Sequence, residues 1–260
     1  VNLLIPLYVH PAEDPGAWHR LITGASRTYA VVLNPANGPG RAPDPAFAKA
    51  AEALRAAGAR LLGYLDTDYG AREPAEITAD LRRHQEWYAV DGCFLDQSPA
   101  APEALPECRR LVRALRRLGA STVVLNPGVH PAPGYARLAD LTVTFEGPWS
   151  RYVADFTRPS WTERFSADRL CHLVYGVPEP LVPLARRTAA ERGAGVCGPV
   201  TGRSAQPVGG VDTGAGGPLT RDPRRQTVNP PSTGTVAPVM NAASGPARWA
   251  TVAAISAGSA

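Results

Sequence analysis

The sequence predicts an α/β fold: a (β/α)8 barrel of the TIM type over residues 1–198, its eighth unit either weak or incomplete, followed by a tail. Three observations predict it. Seven short apolar runs recur through the first three quarters of the chain, most of them continuously apolar, as strands buried on both faces are. Segments with helical periodicity separate them, and β–α alternation implies a parallel sheet with helices outside it. The first run leads into LYVHPAEDPGAW rather than GxGxxG, which disfavours an open dinucleotide-binding sheet. Units of roughly 25 residues fit a compact barrel.

The strand candidates are Leu3 to Val9, Tyr29 to Leu33, Arg60 to Leu65, Gly92 to Leu95, Thr122 to Leu125, Leu141 to Phe145 and Leu170 to Tyr175, with a weaker eighth from Gly195 to Val200. Pro45 to Ala57 reads as a helix closed by Gly58, where glycine suits the left-handed cap. Pro74 to Tyr88 opens on proline with acids in its first turn, where the helix dipole favours them. Pro102 to Leu118 stops at Gly119. Residues 199–260 are dense in Gly, Pro, Ser and Thr and hold one aromatic, Trp249, so they are expected to be disordered.

Composition narrows the function. Lys49 is the only lysine, and the net charge of +4 comes from arginines spread over several predicted helices, such as Arg109, Arg110, Arg113, Arg116 and Arg117. No interleaved aromatics accompany them, so no nucleic-acid partner is expected. Cys93, Cys108, Cys171 and Cys197 have neither CxxC nor zinc spacing and read as free thiols. No apolar run is long enough to cross a bilayer, and no signal-peptide pattern opens the chain. The chain reads as soluble and monomeric; the compartment stays open.

In a barrel, chemistry sits at the C-terminal ends of the strands. Those ends carry Tyr8 and His10, then Asn34, then Tyr64, Asp66, Asp68 and Tyr69, then Asp96 and Gln97, Asn126, Glu146 and Trp149, and finally His172 and Tyr175. Asp96 and Glu146 each follow an apolar run, where desolvation raises a carboxyl pKa. Glycoside cleavage needs two such groups flanking the scissile bond. Tyr8, Tyr64, Tyr69, Trp149 and Tyr175 are candidate sugar platforms, and Asn34, Gln97 and Asn126 candidate hydroxyl partners. His10 divides evenly between loop structure and substrate. His172, inside an apolar run, is at least as readily a core residue. Asp66 and Asp68 lack a third ligand, so substrate contact, with Asp66 the candidate, or loop structure is favoured over a cation, and no metal and no cofactor is expected.

The motifs PLYVHP, VVLNPANGPG, LGYLDTDYG, VDGCFLDQ, VVLNPG, TFEGPW and HLVYGV, spread over about residues 3 to 178, resemble the spherulation-specific family 4 (spherulin 4-like) proteins. That resemblance implies a (β/α)8 barrel and, by similarity to fungal members, a glycoside hydrolase cleaving galactosaminogalactan, an α-1,4-linked polymer of galactose and N-acetylgalactosamine. It also implies Asp96 as nucleophile and Glu146 as acid/base of a retaining mechanism; the residues alone pick the pair without dividing the roles. The expected partner is a polysaccharide or oligosaccharide. The alternative is a non-catalytic carbohydrate-binding or coat-associated barrel.

Overall fold

The computed structural model describes residues 1–7, 9–25 and 28–200. Its strands are β1 (Asn2–Leu7), β2 (Thr28–Leu33), β3 (Leu61–Asp66), β4 (Gly92–Asp96), β5 (Thr122–Leu125), β6 (Leu141–Pro148), β7 (Leu170–Tyr175) and β8 (Val196–Val200). All are parallel, each pairs with its neighbours in chain order, and the sheet closes on itself. Asn2 opposite Val196 and Leu3 opposite Cys197 make the closure. The weak eighth strand forms and ends at Val200, as its candidate range does, so the barrel is complete and leaves no open edge, which an unpaired strand would expose to aggregation. The predicted tail, from residue 201 on, lies outside the described residues.

The helices are α1 (Pro15–Thr23), α2 (Pro45–Ala56), α3 (Pro74–Tyr88), α4 (Leu105–Arg117), α5 (Trp149–Asp155) and α6 (Val182–Glu191). Asp44 caps α2 by accepting from the N–H groups of Ala46 and Phe47. At its other end Gly58 donates to Arg55 O and Ala59 to Leu54 O, the Schellman arrangement that the glycine predicts. The alternation is not strict: between β5 and β6 only a 3₁₀ turn, Tyr135–Arg137, replaces a helix.

Alternate residues of each strand divide the core. Leu62, Phe94, Val124, Leu141 and Leu173 fill the barrel interior, while Leu61, Leu65, Cys93, Leu95 and Val123 face the helices. All four cysteines are buried and free. Gly92, at the start of β4, faces the Thr122 backbone so closely that a Cβ would stand 2.0 Å from the Thr122 carbonyl oxygen. Because the obstacle is main chain, Gly92→Ala is expected to cost about 1–3 kcal/mol and lower the melting temperature by several degrees in a calorimetric scan.

Candidate active site

The strand alternation aims the acids. In β4, Phe94 points inward, so Asp96, two residues on, does as well. In β6 the same rule would turn Glu146 outward, since Leu141 and Val143 are the inward residues. A bulge intervenes: Val143 lies opposite Cys171, Phe145 opposite His172 and Glu146 opposite Leu173, leaving Thr144 as the extra residue. The inserted residue reverses the alternation beyond it. Phe145 then faces the outer aromatic cluster, and Glu146 enters the barrel mouth.

One amide joins the two acids. Asn126 Nδ2 donates to Asp96 Oδ1 and to Glu146 Oε2, each at 2.7 Å. Its Oδ1 accepts from the Gly128 N–H at 3.2 Å, which sets the amide's orientation with nitrogen toward the carboxyls. Asp96 has further donors in the Tyr64 hydroxyl, 2.7 Å from Oδ2, and the Gln97 N–H. Burial raises the pKa of both acids. It pushes Glu146 up to about 7, with the Asp96 charge adding to the rise and the Asn126 bond opposing it. The rise at Asp96 is opposed by the bonds from Tyr64, Gln97 and Asn126. Among the described residues three donors thus favour the anion at Asp96, against one at Glu146.

The loop after β3 lies close enough to this pair for both charges to act on its Tyr69. Asp68 and Tyr69 both have left-handed backbone (φ 44° and 52°), as does Gln97 (φ 49°). Such backbone is costly for non-glycine residues and concentrates at functional sites. The two loops hold each other in place. Tyr69 N–H donates to Gln97 O at 2.7 Å, and the buried Thr67 hydroxyl lies within bonding distance of the Asp96 and Gln97 carbonyls. Tyr69 is 64 % exposed, and the charges of Asp96 and Glu146 raise its phenol pKa after burial does. Tyr175, at the tip of β7, likewise feels Glu146.

Other candidates stand elsewhere or do something else. Tyr64 is 4 % exposed and stacks on Phe94 beneath the site, so it holds Asp96 rather than offering a face to a sugar. Asn126 is equally enclosed and spends its nitrogen on the acids instead of a hydroxyl. Asn34 accepts from Gly38 N–H, bracing the NPANGPG loop. Both ring nitrogens of His10 are engaged, one by Asp44 and the other by Ala12 N–H, which favours the loop role. His172 points outward among Phe145, Tyr152 and Phe156, 2.7 Å from the Tyr152 hydroxyl, with burial lowering its pKa to about 3. The core alternative matches its surroundings. Trp149 opens α5 and packs beside Tyr152. Asp66 sits opposite Asp96 in register, and one of its oxygens accepts from Asp68 N–H. Tyr8 lies outside the described residues.

Sequence reasoning missed Arg72 and Asp80, which pair at 2.5 Å, while Arg72 also donates to Asp66 O and ties the β3 loop to α3. A signal existed: Asp80 is a charge within the buried stripe of Ile77, Leu81, His84 and Tyr88.

Comparison with known proteins identifies relatives of the chain. Residues 2–193 match the model of spherulation-specific family 4. Spherulin-4 of Physarum polycephalum is 29% identical over 168 residues, 63% of this chain; the chain spans about half of that relative's length (49%). The crystal structure of Aspergillus clavatus Sph3 in complex with GalNAc superposes with a TM-score of 0.66 at 27% identity, covering 76% of this chain and 88% of that one. A deoxyribose phosphate aldolase from Aeropyrum pernix, 15% identical with a TM-score of 0.50 over 76% and 84% of the two chains, shares only the barrel, which hosts many chemistries. With three quarters of its length matching the family model, the chain belongs to spherulation-specific family 4.

Proposed function

We propose that the chain is a retaining glycoside hydrolase that cleaves an α-linked, amino-sugar-containing polysaccharide of the galactosaminogalactan type. The observation that carries this reading is the shared Asn126 nitrogen. Two carboxyl oxygens each 2.7 Å from one atom are at most twice that distance apart. Retaining enzymes hold their carboxyls ~5–5.5 Å apart, whereas inverting ones leave ~6.5–9.5 Å for a water.

The donors divide the roles. Asp96, with three donors, is the anion that attacks the anomeric carbon. Glu146, whose pKa stands at about 7, delivers its proton to the leaving oxygen as the glycosidic bond breaks. Water then attacks the glycosyl–Asp96 ester, Glu146 takes its proton, and the Asp96 carboxylate is released. The GalNAc held by the Aspergillus relative supports an amino sugar as the unit recognised. A purely binding protein has no need of two acids sharing one donor, or of a carboxyl that keeps its proton near neutrality. The test is incubation with purified galactosaminogalactan and mass analysis of what is released. Oligosaccharides are expected; no release by the folded protein from this or any other α-linked hexosaminyl polymer would overturn the reading.

Tyr69 supplies the exposed aromatic face above the acids. Tyr69→Ala is expected to lower kcat/KM roughly tenfold, equivalent to ~1.4 kcal/mol, mostly through KM, in steady-state assays. An unchanged KM would remove Tyr69 from the substrate path.

A further inference from the structure

The arginines of α4 look scattered in sequence, yet the fold gathers them. Arg109, Arg113, Arg116 and Arg117 of α4, joined by Arg137 from the 3₁₀ turn before β6, line a groove of about 480 Å³. It lies along the outer wall toward the end of the barrel where the strands begin, the end opposite the acid pair. Arg116 is committed to Asp140, at 2.5 Å, and to the Ala120 and Ser121 carbonyls. Arg137 rests over the Phe165 ring, 6.0 Å from its centre. Arg109, Arg113 and Arg117 are exposed and make no ion pair among the described residues. Five guanidinium groups against the one carboxylate of Asp140 concentrate in this groove as much positive charge as the +4 net charge of the whole chain.

The groove's chemistry selects among anions. Guanidinium forks bond carboxylates in bidentate fashion. Arg109, Arg113 and Arg117 recur every four residues, so they climb one helix face in steps of ~6 Å, comparable to one monosaccharide step along an extended glycan. Val112 and Leu138 provide an apolar floor on which the C–H faces of sugar rings can rest. Among the described residues no aromatic side chain lines the groove, so they offer none of the stacking platforms that single-stranded nucleic acid uses. Inorganic polyphosphate sets its charges closer together than these arginines and has no use for an apolar floor.

We infer that this groove binds a linear acidic polysaccharide through its carboxylates, as a site separate from the acid pair. The inference does not depend on the hydrolase reading. It is tested on the full chain with fluorescently labelled oligogalacturonate, in competition with inorganic polyphosphate and a single-stranded DNA oligomer. Oligogalacturonate is expected to bind at low ionic strength and to weaken steeply between about 50 and 200 mM salt. The triple variant Arg109→Gln, Arg113→Gln, Arg117→Gln is expected to bind at least tenfold more weakly. Glutamine matches arginine in helix propensity, so its melting temperature should be unchanged. A triple lysine variant keeps the charge without the fork, and is expected to retain the salt dependence at intermediate affinity. Absence of binding at low salt, equal affinity in the glutamine variant, or tighter binding of polyphosphate or DNA would each overturn the proposal.

Discussion

Asp96→Asn and Glu146→Gln are each expected to reduce turnover of a natural polymer by at least ~10³-fold, with the barrel intact. The size follows from what each group supplies. Loss of a positioned general acid typically removes 10²–10⁴-fold, on the order of 3–5 kcal/mol, and loss of a nucleophile removes the covalent route altogether. Neither change disturbs packing, because both side chains end in the mouth of the barrel and the amides keep similar size. The roles separate by chemical rescue with azide of the Ala variants. Without the acid/base, azide attacks the glycosyl–Asp96 ester and gives a glycosyl azide of the substrate's own anomeric configuration. Without the nucleophile, azide displaces the leaving group directly and gives the opposite anomer. A reversed pattern would exchange the two roles, and full activity in either amide variant would sink the pair.

The second large effect is on stability, and its sign runs against intuition: Glu146→Gln is expected to make the protein more stable above neutrality. Burial raises the Glu146 pKa from 4.5 to about 7. A carboxyl whose folded pKa is raised contributes stability that is fully present below pH 4.5 and is lost as pH rises through about 7. At ~1.4 kcal/mol per unit, the loss approaches a few kcal/mol at most. Glutamine does not ionise and retains an oxygen to accept from Asn126. The absolute pH profile mixes this with the buried His84 and His172, whose pKa values burial lowers to about 4 and about 3, so they withdraw stability as pH falls below 6.5. The difference between variant and parent isolates Glu146. Urea titrations should show the variant equal to its parent near pH 4.5 and ahead of it by ~2–3 kcal/mol near pH 8. A gap that does not widen with pH would mean Glu146 is not held protonated by its surroundings.

The barrel and the candidate acids were legible for one reason: apolar runs buried on both faces end abruptly in polar residues, and those ends mark the mouth. The same property hides direction. In the run from Leu170 to Val174 every position is buried, so nothing in the residue types says that Cys171 and Leu173 face the axis while His172 faces the helices. Tyr64 shows a second limit. A tyrosine two residues before the strand tip looks like a sugar platform, yet it lies one layer below the mouth, where its ring packs on Phe94 and only its hydroxyl reaches the site. The eighth strand, VCGPV, is short and carries glycine and proline, which gives it a weak signature in sequence. Closure supplies what propensity lacks: two neighbouring strands are already in place to pair with it. Asn126 was found as a polar strand-end residue, but its bridging role depends on two side chains from other strands and has no signature in LNPG beyond the glycine that turns its amide.

The single extra residue in β6 makes the chemistry separable from the fold. Were β6 to run through Thr144 without its bulge, Phe145 would enter the mouth and Glu146 would turn toward the helices, while the other seven strands kept their places. The phase of one strand therefore separates a mouth lined by two acids from one lined by an acid and an aromatic ring, a composition suited to holding sugar without cutting it.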